Sequence, residues 1–159
     1  LAQRRGLRVM VYPHIWFWLQ SPEDALRVLR QVDRPNAGMT FNLCHYLATQ
    51  FYEGQNPRQN FAVWAAKAQP YVFALSVNGA DFPPPSTDRA RLWDTLIQPL
   101  GSGSYDVYGF LKTFWDAGFT GPVGLQCYNL KQPKAEHLRR SVQTWRTYKK
   151  RYAAEANPK

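Results

Sequence analysis

Four short apolar runs, each closed by polar residues and followed by a helix-length segment, set the tightest limit on how this chain folds. The runs cover residues 7–12, 37–43, 71–77 and 123–128. They are nearly continuous in apolar character rather than alternating, as strands are when helices cover both faces of a parallel sheet. Ser21-Pro22-Glu23-Asp24 is a helix start: Ser21 can cap, Pro22 suits the first helical position and Asp24 can accept orphan amides. Ala25, Leu26, Val28, Leu29 and Val32 then repeat close to a helical period. Further helices are predicted over 61–69, ended by Pro70, over 107–117 behind Asp106 as cap, and over 135–148. The triple proline Pro83-Pro84-Pro85 belongs to a loop. The pattern is therefore α/β, with four βα units. An open flavodoxin-like sheet and half of a closed barrel both satisfy it, and periodicity does not choose between them.

Both architectures place function at the C-terminal ends of the strands. The polar residues there are His14, Asn42, His45, Asn78, Gln126 and Tyr128. Asn42 and Gln126 interrupt apolar runs, where an amide is costly unless hydrogen-bonded. Tyr12 and Trp16 flank His14 and can wall a pocket or stack on a ligand ring. The Gly101-Ser102-Gly103-Ser104 segment has the look of a phosphate cradle but lacks the lysine and spacing of a phosphate loop, so a connecting role is expected.

The net charge of +9 invites a nucleic-acid partner. Much of the excess sits in Arg4, Arg5 and Arg8 and in the last helix and tail, from Lys134 to Lys159, which a solvated basic helix explains. No zinc-finger, RNA-binding or helix-turn-helix signature accompanies it. The expectation is one domain over 1–148 and a basic C-terminal tail over 149–159. Cys44 and Cys127 are expected as buried free thiols, and His137 as a solvated helix residue. No run is long enough to span a membrane, and a cytoplasmic location is slightly favoured.

Taken together, Tyr12-Pro13-His14, Asn42-Leu43-Cys44-His45, Ser76-Val77-Asn78-Gly79-Ala80-Asp81 and Gln126-Cys127-Tyr128 resemble the second half of the xylose isomerase-like sugar phosphate isomerase/epimerase superfamily. Ile97-Gln98-Pro99-Leu100-Gly101 and the turn Gly118-Phe119-Thr120-Gly121-Pro122 extend the resemblance, which runs over roughly residues 7 to 146. It implies a TIM barrel, of which these units resemble strands 5 to 8. Active members hold a metal such as Mn²⁺ with Glu, Asp, His and Glu from those strand ends, and the two glutamates move a proton between adjacent sugar carbons.

At the matching positions this chain carries Tyr12, Asn42, Ser76 (or Asn78, which can reach the same space) and Gln126; His45 matches a histidine that contacts substrate. Amides keep the shape of the carboxylates but supply neither the charge nor the base. A sugar isomerase/epimerase-like domain with a degenerate metal site is therefore expected. His14 and His45 are its candidate acid/base groups, near an ordinary pKa of about 6.5. Tyr12, Trp16, Asn42, Asn78, Gln126 and Tyr128 are its candidate substrate contacts. No residue is assigned to a metal, and Mn²⁺ or another divalent cation would bind only if the site were completed elsewhere. The expected ligand is a sugar; the alternative is a non-catalytic carbohydrate-binding or structural half-barrel. Unpaired strand edges predict either self-association or a complementary N-terminal half-barrel as partner. The wider superfamily includes endonucleases for damaged DNA, but the missing carboxylates argue against that activity and no nucleic acid is expected.

Overall fold

The computed structural model describes residues 1–57, 59 and 61–156. Four strands, β1 (Val9–Val11), β2 (Ala37–Asn42), β3 (Val72–Val77) and β4 (Val123–Leu125), form one sheet in the order β1-β2-β3-β4, every pair parallel. Among the described residues six α-helices accompany them: α1 (Pro22–Val32), α2 (Leu43–Tyr52), α3 (Phe61–Ala68), α4 (Leu92–Leu96), α5 (Val107–Asp116) and α6 (Lys134–Ala156). Sequential parallel strands joined by helical crossovers are one continuous stretch of a (β/α)8-like barrel.

Local chemistry sets several boundaries. Ser21 and Asp24 form a reciprocal capping box: the Asp24 amide donates to Ser21 Oγ, and the Ser21 amide donates to Asp24 Oδ2, both at 3.1 Å. Asp106 caps α5 by accepting from the Gly109 amide. Helix α2 is not evident in the periodicity. Asn42 ends β2 in extended conformation and at once caps α2, so strand passes into helix with no loop to announce it. Helix α6 runs eight residues beyond Tyr148, to Ala156, so residues 149–156 of the basic C-terminal segment are helical; Lys159 lies outside the described residues.

The core lies between the sheet and the helices. Phe41, on β2, is fully buried and packs against Tyr46, Phe61, Trp64, Phe110 and Phe114 at ring-centroid distances of 5.2–6.1 Å. Burying one such side chain stabilises the fold by roughly 1.5–3 kcal/mol. Since side chains alternate along a strand, Gly38, Thr40 and Asn42 face away from this layer. The register carries that inner face across the sheet: Met10 pairs with Gly38, Thr40 with Ala74, Asn42 with Ser76, and Ser76 with Gly124. Tyr12 and Gln126 continue it just past the ends of β1 and β4. The inner face is therefore made largely of small and polar residues.

His137 departs from expectation. It is 5 % exposed, with a buried Nδ1 that has no hydrogen-bond partner. It and Ser141 are the buried polar residues of α6, on the face turned toward the domain. Cys44 is buried, but in α2 rather than a strand, and Cys127 is only half-buried; both are free thiols. Among the described residues no helix is long and apolar enough to cross a membrane.

Candidate functional site

At the C-terminal ends of the strands lies a cavity of about 350 Å³. Tyr12, His14 and Trp16 form one wall, and Gln126 and Tyr128 another. Cys44, His45, Trp93 and Ile97 complete it. Six of the eight sequence-predicted site residues meet here. Asn42 and Asn78 do not line the cavity.

His14 has an assignable tautomer. Its Nδ1 stands 2.8 Å from the carbonyl oxygen of Ile15. A carbonyl only accepts, so Nδ1 carries a proton, and in the neutral imidazole the lone pair is on Nε2. Phe17 stacks on the ring at 4.2 Å between centroids, and His45 lies against it at 3.8 Å. His45 is 7 % exposed, and its buried Nδ1 has no partner. Burial, with His14 as a second cause, lowers its pKa to about 4. The expectation of an ordinary value for His45 is thus corrected: in the folded protein it is neutral at neutral pH. Trp93 meets His45 edge-on at 5.4 Å and Trp16 at 5.9 Å, closing an aromatic wall. Trp16 adopts φ 70°, a left-handed conformation costly for a bulky residue and a mark of local strain.

Asn42 works beneath the cavity. Its Oδ1 accepts from the Cys44 amide at 3.2 Å and the Cys44 thiol at 3.0 Å, which spends both lone pairs. A backbone N–H cannot accept, so Nδ2 is the end that donates to the Tyr12 hydroxyl. Gln126 is oriented in the same way: Oε1 accepts from the amides of Cys127 and Tyr128, each at 3.0 Å, which leaves Nε2 for the cavity. Burial pushes the Cys44 thiol up to about 12 and raises the Tyr12 phenol. Both groups are neutral.

Asn78 is fully buried, with Nδ2 donating to the carbonyls of Gly79 and Leu96. It ties the loop after β3 to α4. Gly79 is required there, because a Cβ would lie 2.2 Å from the Pro99 carbonyl oxygen. Asp81 accepts from Gln98 Nε2 and the Ser104 amide, both at 2.7 Å. A carboxylate thus already occupies one amide of the glycine-serine segment.

A hard divalent cation does not fit this donor set. Among the described residues no group of three or more His, Cys, Asp or Glu is gathered to hold a metal. The amide oxygens of Asn42 and Gln126 are committed to N–H and S–H donors, so the free end of Gln126 is its N–H₂. An N–H at that position repels a cation that needs oxygen ligands.

Trp93, Cys44 and Ile97 are wall residues that sequence reasoning missed. Trp93 follows a proline-rich loop and carries no local signal; only the packing of α4 against α2 brings it over His45.

The family model described as xylose isomerase-like TIM barrel matches residues 1–148. No curated protein sequence matches. A solved structure of the IOLI protein with a zinc atom is 19 % identical over 95 % of this chain and 52 % of its own, with a TM-score of 0.70. L-ribulose 3-epimerase is 10 % identical over 97 % of this chain and 51 % of its own, with a TM-score of 0.69. 3-Keto-D-glucoside 4-epimerase from E. coli is 18 % identical over 92 % of this chain and 48 % of its own, with a TM-score of 0.64. The chain spans about half the length of these structures. Four parallel βα units in this register, matched by the family model over nearly the whole chain, mean that the chain belongs to the xylose isomerase-like TIM-barrel superfamily.

Proposed function

We propose that the cavity binds a sugar or sugar derivative and that His14 moves a proton at a carbon next to the sugar's carbonyl, as in isomerisation or epimerisation. The observation that carries this reading is the His14 ring: Nδ1 is anchored on a carbonyl, which leaves Nε2 as a base on a cavity wall. Abstraction of the proton by Nε2 turns the C–H pair into a C=C bond and sends the carbonyl pair onto oxygen. Return of the proton from Nε2 to the former carbonyl carbon, as the neighbouring hydroxyl proton passes to the oxyanion, completes an isomerisation; protonation of the original carbon's other face by solvent, with Nε2 releasing its proton to solvent, gives an epimer. Neutral His45 and Phe17 hold the ring between them. Trp16 and Tyr128, 60 % and 63 % exposed, offer faces for stacking on a sugar ring. The names of two matched structures, a ribulose epimerase and a keto-glucoside epimerase, are consistent with a keto-sugar ligand.

A second reading is a non-catalytic carbohydrate-binding domain. It is favoured by the replacement of carboxylates with amides whose oxygens are already hydrogen-bonded. The two readings separate in D₂O with EDTA present. Solvent deuterium entering L-ribulose or D-tagatose, and lost in His14→Gln, supports proton transfer. Sugar binding without deuterium entry would instead leave the binding role.

A further inference from the structure

The Gln126 amide and the Tyr12 hydroxyl each keep a hydrogen to offer at the cavity they line. The backbone fixes this polarity. The amides of Cys127 and Tyr128 can bond only to an oxygen, so Gln126 Oε1 faces them and Nε2 is left over. The Cys44 amide likewise holds Asn42 Oδ1, so the Asn42 N–H₂ donates to the Tyr12 oxygen. Having accepted there, Tyr12 keeps its own hydroxyl hydrogen for another partner, and both Tyr12 and Gln126 line the same cavity. Two such donors suit an oxygen that gains negative charge.

We propose that Tyr12 O–H and Gln126 Nε2–H₂ form a donor pair for the carbonyl oxygen of a keto-sugar, taking over the polarising role that a metal ion performs elsewhere in the superfamily. The proposal rests on the reading of the cavity as a His14 proton-transfer site. As the C–H pair becomes the C=C bond, the carbonyl pair moves to oxygen, and the two donors strengthen their hydrogen bonds to the resulting oxyanion. When the pair returns, the proton returns from Nε2 to carbon, so no co-reactant is consumed. Asn42 is a positioning residue: it touches no substrate but holds the Tyr12 oxygen as an acceptor and so directs the hydroxyl hydrogen. The inversion relative to a metal site is chemical. A carboxylate at position 126 would attract a cation and repel an oxyanion, whereas the amide does the reverse.

The test uses D-erythronohydroxamate, a polyol that mimics the planar enediolate, titrated by tryptophan fluorescence of the full chain with EDTA present. Tyr12→Phe and Gln126→Met, which keep ring and chain length, are each expected to weaken the hydroxamate by roughly tenfold or more while leaving far-UV circular dichroism unchanged. Gln126→Glu is expected to abolish binding. Unchanged affinity in Tyr12→Phe and Gln126→Met, loss of wild-type binding when EDTA is added, or no wild-type binding at all would each overturn the donor pair. Deuterium exchange separates its fate from that of the proton-transfer reading. Exchange that dies in His14→Gln but persists in both donor variants leaves the base and removes the pair. Hydroxamate binding that needs both donors, with no exchange in any protein, keeps the pair and removes the chemistry.

Discussion

The imidazole of His14 lies 3.8 Å from that of His45, centroid to centroid, and the two rings differ sharply in setting. His14 is half-buried and bonded to a carbonyl; His45 is almost wholly buried, with one nitrogen unpartnered. Two imidazolium ions at that distance would repel strongly in a site with little water. Burial, with His14 as a second cause, therefore disfavours the charged form of His45.

Stability should fall on mild acidification. The folded-state pKa of His45 is about 4, below the unfolded value of about 6.5. The unfolded chain therefore binds more protons between those values. Stability is full above about pH 6.5 and is lost as pH falls toward 4, by up to about 3 kcal/mol. Urea unfolding at pH 7.5, 6 and 5 checks this. His45→Gln should flatten the dependence, and an equally steep loss in that variant would assign it to other groups.

Metal should not be retained. After Mn²⁺ loading and exhaustive desalting, the wild-type chain is expected to hold far less than one equivalent. Gln126→Glu alone should restore little, because both lone pairs of Asn42 Oδ1 remain bonded to the Cys44 amide and thiol. Stoichiometric Mn²⁺ in the wild type by elemental analysis would contradict the polarity assigned to Gln126.

Truncating the aromatic core should be costly. Phe41→Ala removes a fully buried ring that touches five others, and is expected to cost about 3–5 kcal/mol. Trp18→Ala, at a position 85 % exposed, should change stability by less than about 0.5 kcal/mol. Denaturant midpoints of the two variants should differ accordingly.

The sheet edges should drive association. Val9 and Met10 on β1 are 49 % and 51 % exposed, and a groove beside β4 is lined by Val123, Leu125, Val142 and Trp145. Open parallel edges flanked by apolar groups favour pairing. Sedimentation of the 159-residue chain is expected to show concentration-dependent dimers or larger species. A strictly monomeric species across the micromolar range would show that these edges are tolerated in water.

Much of the architecture was legible because strand and helix periods are local. The start of α1 follows from Ser21, Pro22 and Asp24, and Asp106 announces α5. Helix α2 stayed hidden because Asn42 serves both as last strand residue and as cap, so apolar character passes from one period to the other without a break. The buried state of His137 was hidden for a related reason: on a helix this polar, one histidine carries no mark of which face turns inward.

The sequence by itself determined the alternation of strand and helix, the polar residues at the strand ends and the presence of amides, Asn42 and Gln126, at two of them. Each of these depends on residue identity and short-range spacing. Only the tertiary structure decided what those polar residues do. Asn78 became a loop tie and Asn42 a support beneath Tyr12, Trp93 arrived on α4, and burial lowered the affinity of His45 for a proton. Hydrogen-bond direction, burial and ring contact arise between residues far apart in the chain, so no local pattern encodes them.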